Sequence, residues 1–122
     1  MQSVTGMARS SKEIFLHIQH AGASVSRTVW CVDVGGSTYI RSAFGPNSQW
    51  YRMARLAGTA RVEIDGTAWP VRLELTVEPG LNHRISEAYR AKYERAWPGP
   101  VRSLLSADAV GTTLRLRPHT RT

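Results

Sequence analysis

The sequence predicts an α+β domain that is mainly β: a six-stranded antiparallel barrel, closed or nearly so, with two flanking helices. Apolar and polar residues alternate in four segments, 13–19, 60–64, 69–77 and 112–117, which is the period of a half-buried strand. Gly35-Gly36 and Asp65-Gly66 each separate two such runs, and these pairs supply the positive φ that a two-residue hairpin turn needs. A sheet so curved and so well supplied with hairpins does not suit a doubly wound fold, and closing it removes its exposed edges.

In chain order, residues 13–19 place Ile14, Leu16 and Ile18 on one face and Glu13, His17 and Gln19 on the other, with Phe15 interrupting the pattern. Residues 21–26 read as a loop. Residues 28–34 (TVWCVDV) form a β-branched, nearly continuous apolar run, as in a strand covered on both faces. After Gly35-Gly36, residues 37–41 return. The loop 42–48 leads to a short helix, 48–57, capped by Ser48 and ended by Gly58. Residues 60–64 and 69–77 form the next hairpin, the latter with Trp69, Val71, Leu73, Leu75 and Val77 inward and Pro70 outward at a rim. A second helix is expected at 82–96, with Asn82 as cap and Trp97-Pro98-Gly99-Pro100 as its stop. Residues 101–111 carry no decisive pattern, and a last strand at 112–117 buries Leu114 and Leu116. One domain, 12–118, is expected between tails at 1–11 and 119–122.

The chain has 122 residues and a net charge of +7, with fourteen arginines against two lysines, Lys12 and Lys92. Arginine grips phosphate and carboxylate with paired hydrogen bonds, so an anionic partner is one reading and a solvated surface the other. No basic stripe interleaved with aromatics appears, so no nucleic acid is expected as partner. The one cysteine, Cys31, excludes an internal disulfide and reads as a buried thiol. Neither a membrane-spanning run nor a secretory leader is evident, and a cytoplasmic setting is expected.

No nucleophile elbow, P-loop, Rossmann glycine set or metal-binding spacing occurs, so neither classical nucleophilic catalysis nor a protein-bound metal is expected. Two segments could carry chemistry. In 39–55 (YIRSAFGPNSQWYRMAR) a strand feeds a glycine loop that opens a helix, with Ser42, Asn47 and Ser48 near a helix start and Arg41, Arg52 and Arg55 close by. That is either an anion cradle or an ordinary connection. In 87–93 (EAYRAKY) Tyr89, Lys92 and Tyr93 share one helical face. They either serve a ligand as proton donors or pack, with the lysine stem lying along the surface.

The strand-loop-Trp-Tyr-Arg segment at 29–52 and the helix AYRAKY at 88–93 resemble the bacterial family called domain of unknown function 2255, over roughly residues 13–118. More distantly, Gly45, Trp50-Tyr51 and Ala60-Arg61-Val62 are similar to deazaflavin-dependent nitroreductases of the FMN-binding split-barrel superfamily. The resemblance implies a split barrel, a homodimer, and a loop before the Trp-Tyr pair that holds cofactor phosphate. By position it implies Arg41, Ser42, Gly45 and Ser48 as phosphate contacts with Trp50 packed beneath and Arg52 alongside. Tyr89, Lys92 and Tyr93 are then the catalytic candidates on the substrate side. The cofactor would be FMN or a deazaflavin, with a redox step on a small organic ligand. The alternatives are a cofactor-free barrel acting as an isomerase or cyclase, and a non-catalytic binding module.

Overall fold

A computed structural model describes residues 13–119. Six strands, β1 (Glu13–His20), β2 (Ala23–Val34), β3 (Ser37–Ile40), β4 (Thr59–Ile64), β5 (Thr67–Leu75) and β6 (Leu114–Pro118), close into an antiparallel barrel in the order β1-β2-β3-β6-β5-β4. The fourth strand pairs back on the first through Phe15↔Glu63 and Leu16↔Val62, so the sheet has no edge. The helices are α1 (Gln49–Ala57), α2 (Pro79–Tyr93), α3 (Pro98–Leu104) and α4 (Ala107–Val110), with one 3₁₀ turn at Gly45–Asn47.

The alternation of β1 is as expected: Ile14, Leu16 and Ile18 are buried in the barrel, and Phe15 points out, half exposed. Both predicted hairpins have two consecutive positive φ angles, at Gly35-Gly36 and Asp65-Gly66. A third, at Ala21-Gly22, has the same geometry. It replaces the loop expected at 21–26 and lengthens β2 back to Ala23, because alanine, unlike Asn or Asp, gives no sign that it will adopt a left-handed turn.

Three other expectations are corrected. The strand expected to reach residue 77 ends at Leu75, and Leu75 and Val77 are exposed. The chain leaves the barrel there, with Thr76 N–H donating to Thr113 O. The long helix starts three residues early, since the Glu78 carboxylate accepts from Gly80 and Leu81 N–H at 2.8 and 2.6 Å and Pro79 fits its first position. Asn82 lies inside it, its amide donating to Thr76 O. The helix ends at Tyr93, and Pro98-Gly99-Pro100 opens α3 instead of merely stopping α2. Residues 101–111, without a pattern in the sequence, lie largely in α3 and α4. Of the expected tails, only His119 falls among the described residues; its N–H donates to Pro70 O, continuing the barrel rim.

Two cores result. One fills the barrel, around Leu16, Cys31, Val62 and Leu116. The other lies outside it, where Ile85, Tyr89 and Tyr93 of α2 and Val101 and Leu104 of α3 cover Val32 and Tyr39 of β2 and β3. The run 28–34 is therefore apolar on both faces, one facing each core.

Candidate functional site

The loop after β3 is built around Arg41, whose side chain is 2% exposed. Its Nε donates to Thr113 Oγ1 at 2.8 Å, and one terminal nitrogen to Ser86 Oγ at 2.9 Å and Leu104 O at 3.0 Å. The other donates to Asn82 O at 3.0 Å and Asn82 Oδ1 at 3.4 Å. Five donors meet five acceptors, and every acceptor is neutral. The guanidinium also lies over the Tyr89 ring, 5.6 Å from its centroid. Burial lowers its pKa, offset in part by Tyr89. Arginine stays charged regardless.

The other loop residues brace one another. Ser42 N–H donates to Thr112 Oγ1 at 2.8 Å, and the Ser42 and Ser48 hydroxyls are 2.8 Å apart. Ser48 occupies the cap position of α1, but its hydroxyl makes no cap bond because Ser42 engages it. Gly45, at φ +82°, lies where an added Cβ would stand 3.1 Å from Asp108 Cβ, so α4 backs the loop directly.

Arg41, Ser48 and Trp50 converge on a cavity of about 290 Å³, between β2, this loop, the first turn of α1, and α3. Trp30, Val29, Phe44, Pro100 and Leu104 supply its apolar walls, and Arg27 and Thr28 lie at its β2 side. Among the described residues two guanidiniums and no carboxylate line it. Ser42 and Gly45 sit behind the lining, and Arg52 is exposed away from it.

Arg27, Trp30 and Phe44 are the contacts that reading the sequence missed. Trp30 was hidden within an apolar strand, and Phe44 within a loop noted only for its polar residues. Arg27 donates to Ser26 O and, at 3.3 Å, to Gln49 Oε1. Trp30 stacks on Tyr93 with centroids 4.5 Å apart and planes 11° from parallel.

Tyr89, Lys92 and Tyr93 do come together, but on the backbone of β2 and not on this cavity. β2 lies between β1 and β3 in the barrel and pairs with β3 over Cys31–Val34. Here Tyr89 OH donates to Trp30 O at 3.0 Å, and both Tyr93 OH and Lys92 Nζ donate to Cys31 O. Burial raises the pKa of both phenols and of the Cys31 thiol, and lowers that of Lys92. The phenols are therefore fixed as neutral donors.

A larger, open groove of about 690 Å³ crosses β1, β4 and the β1–β2 hairpin, with His17, Ser26, Arg61 and Glu63 in its lining. It is bigger but about as polar as apolar, whereas the smaller cavity is mainly apolar, and none of the expected site residues touches it. Binding sites are typically apolar and concave with a few convergent polar groups, which favours the smaller cavity. Among the described residues no three His, Cys, Asp or Glu side chains group as metal ligands. No described helix is long and apolar enough to cross a membrane.

The model of a bacterial family of uncharacterised proteins, DUF2255, matches residues 9–116. The chain belongs to that family. No curated protein matches the chain. Several solved structures share the fold at low identity. The heme storage protein HutZ from Vibrio cholerae is 10% identical, with a TM-score of 0.70, covering 97% of this chain and 89% of that one. A FAD-binding protein from Mesorhizobium loti is 14% identical, with a TM-score of 0.66 over 98% and 91%. An F420 reductase is 14% identical, with a TM-score of 0.58 over 98% and 96%. The split-barrel architecture inferred for this family member is thus the one it has.

Proposed function

We propose that this DUF2255 protein binds a planar, phosphorylated ligand of the flavin or deazaflavin class in the cavity beside Trp30, and supports a redox step on a small organic substrate as a homodimer. The observation that carries this reading is the cavity's composition among the described residues: flat apolar walls, two cations and no carboxylate. Structural neighbours described as a FAD-binding protein and an F420 reductase support it. Another neighbour is a heme storage protein, but among the described residues no His, Cys, Met or Tyr lines this cavity to serve as an axial ligand.

The residues present fit such a group. Trp30, Trp50 and Leu104 offer surfaces for a flat ring, and Arg27, Thr28 and Ser48 offer donors to an anion. When bound, a flavin or deazaflavin supplies the electron or hydride transfer itself, and the protein's part is position, electrostatics and exclusion of water. Arg27 is the cation with donors to spare for a phosphate. Arg41, saturated by the protein, acts through space, biasing the cavity toward an anionic ligand. Ser42, Gly45 and Ser48 hold the loop, Trp50 forms floor, and Arg52 adds a peripheral positive charge. Tyr89, Lys92 and Tyr93 hold the β2 backbone that carries Trp30. An isomerase or cyclase using these three groups as acids is less well served, since none of them lines the cavity.

The cavity lies at the lower end of the roughly 300–1,000 Å³ common for drug-sized ligands. A flavin therefore extends beyond one subunit's cavity, which is the reason to expect a second copy beside it. The test is a fluorescence titration of FMN and of a deazaflavin into the wild type and Arg27→Ala. Saturable binding that weakens about tenfold or more in the variant is expected, as for loss of a charge-assisted contact. Absence of binding by either cofactor at millimolar concentration would overturn the reading.

A further inference from the structure

Phe44 is 90% exposed although it borders the cavity, and the turn carrying it is anything but loose. Gly45 N–H donates to Ser42 O at 3.0 Å, which makes Ser42 to Gly45 a β-turn with Phe44 third. Its φ of −96° and ψ of 10° are those of that position in a type I turn. The first residue of the turn is tied to Thr112 and Ser48, and the last rests against Asp108. A turn braced at both ends thus presents an uncovered phenyl ring at the rim of an apolar cavity. Nothing within the described chain covers that ring, so its placement brings no stability to the subunit on its own.

We propose that Phe44 is the closing wall of the cavity, covering the outer face of a flat aromatic ring seated against Trp30 and Trp50. The inference rests on the reading of this cavity as the ligand site and adds what the ligand must be at that end: planar, aromatic and projecting past the rim. About 290 Å³ cannot enclose a fused ring system with its side chain, and Phe44 stands where the excess would emerge. Aromatic rings pack favourably offset or edge-on, so a phenyl at this place selects ring ligands over aliphatic ones of equal size. The serine and glycine residues of the loop then serve as the frame of the turn that presents it.

The experiment compares wild type, Phe44→Ala and Phe44→Tyr, titrating FMN and a deazaflavin and then quenching the bound ligand's fluorescence with iodide. Loss of one aromatic contact predicts an affinity about five- to tenfold weaker in Phe44→Ala, with more iodide quenching, and near-wild-type behaviour in Phe44→Tyr. Unchanged affinity and quenching in Phe44→Ala would overturn the proposal while leaving the cavity as the site. So would a Phe44→Ala that dissociates a dimer without exposing the ligand, which would place the ring in a subunit interface. Failure of the wild type to take up either cofactor overturns this proposal and the reading of the cavity together.

Discussion

Arg41 is a charge taken out of water without a carboxylate beside it, and only its five neutral acceptors make that tolerable. Those acceptors belong to α2, α3 and the segment entering β6, so this side chain joins three elements to the end of β3. Removing it leaves several buried oxygens without donors, at about 1–3 kcal/mol for each group that finds no water. Arg41→Ala is therefore expected to lose about 3 kcal/mol or more in urea unfolding, and Arg41→Lys, with three donors, to recover only part. A variant that unfolds like the wild type but binds ligand poorly would make Arg41 a direct contact after all. The sequence marks Arg41 as a cation at a loop, but not which way it turns. Its partners are 41–72 residues away in the chain, beyond any local pattern.

At the scale of elements, local chemistry wrote the turns at Gly35-Gly36 and Asp65-Gly66 and the alternation of β1, β4 and β6 legibly, because turn dihedrals and strand period depend on neighbours in sequence, whereas the Ala21-Gly22 turn carried no such mark. It misplaced the ends of β5 and α2, where a glutamate cap and a bond from Thr76 to Thr113 decide, and it gave nothing for α3 and α4. Residues 87–93 show the same division. Their shared face was evident, but not the Trp30 and Cys31 carbonyls, distant in sequence, that its side chains meet. That contact makes a pH prediction. Tyr89 and Tyr93 have raised pKa values in the folded state, mainly through burial, so the stability they lend is intact below about pH 10 and is lost as pH rises above it. Lys92 has a lowered pKa, which runs the other way in a window below its ordinary value, so an alkaline loss belongs to the phenols. Tyr89 and Tyr93 should ionise only on unfolding when absorbance is followed to high pH. Ionisation of either in the native protein would contradict the packing of α2 on β2.

At the scale of the molecule, a closed barrel leaves no strand edge for pairing, so association must use side-chain surfaces. Trp97, half exposed beside Trp30, lies on the cavity side, and covering it accounts for the homodimer proposed above. Light scattering at micromolar concentration should give about twice the chain mass, and a monomer would remove the second copy proposed beside the cavity. The most direct measurement of the central claim needs no variant. The four tryptophans give four indole N–H signals in a nitrogen–proton correlation spectrum, and two of them, Trp30 and Trp50, line the cavity, whereas Trp69 packs against the barrel core. Titrating FMN or a deazaflavin should move the Trp30 and Trp50 signals progressively and leave Trp69 in place. Shifts gathered instead at His17 and His119, in the groove across β1 and β4, would show that the ligand site had been put on the wrong side of the barrel.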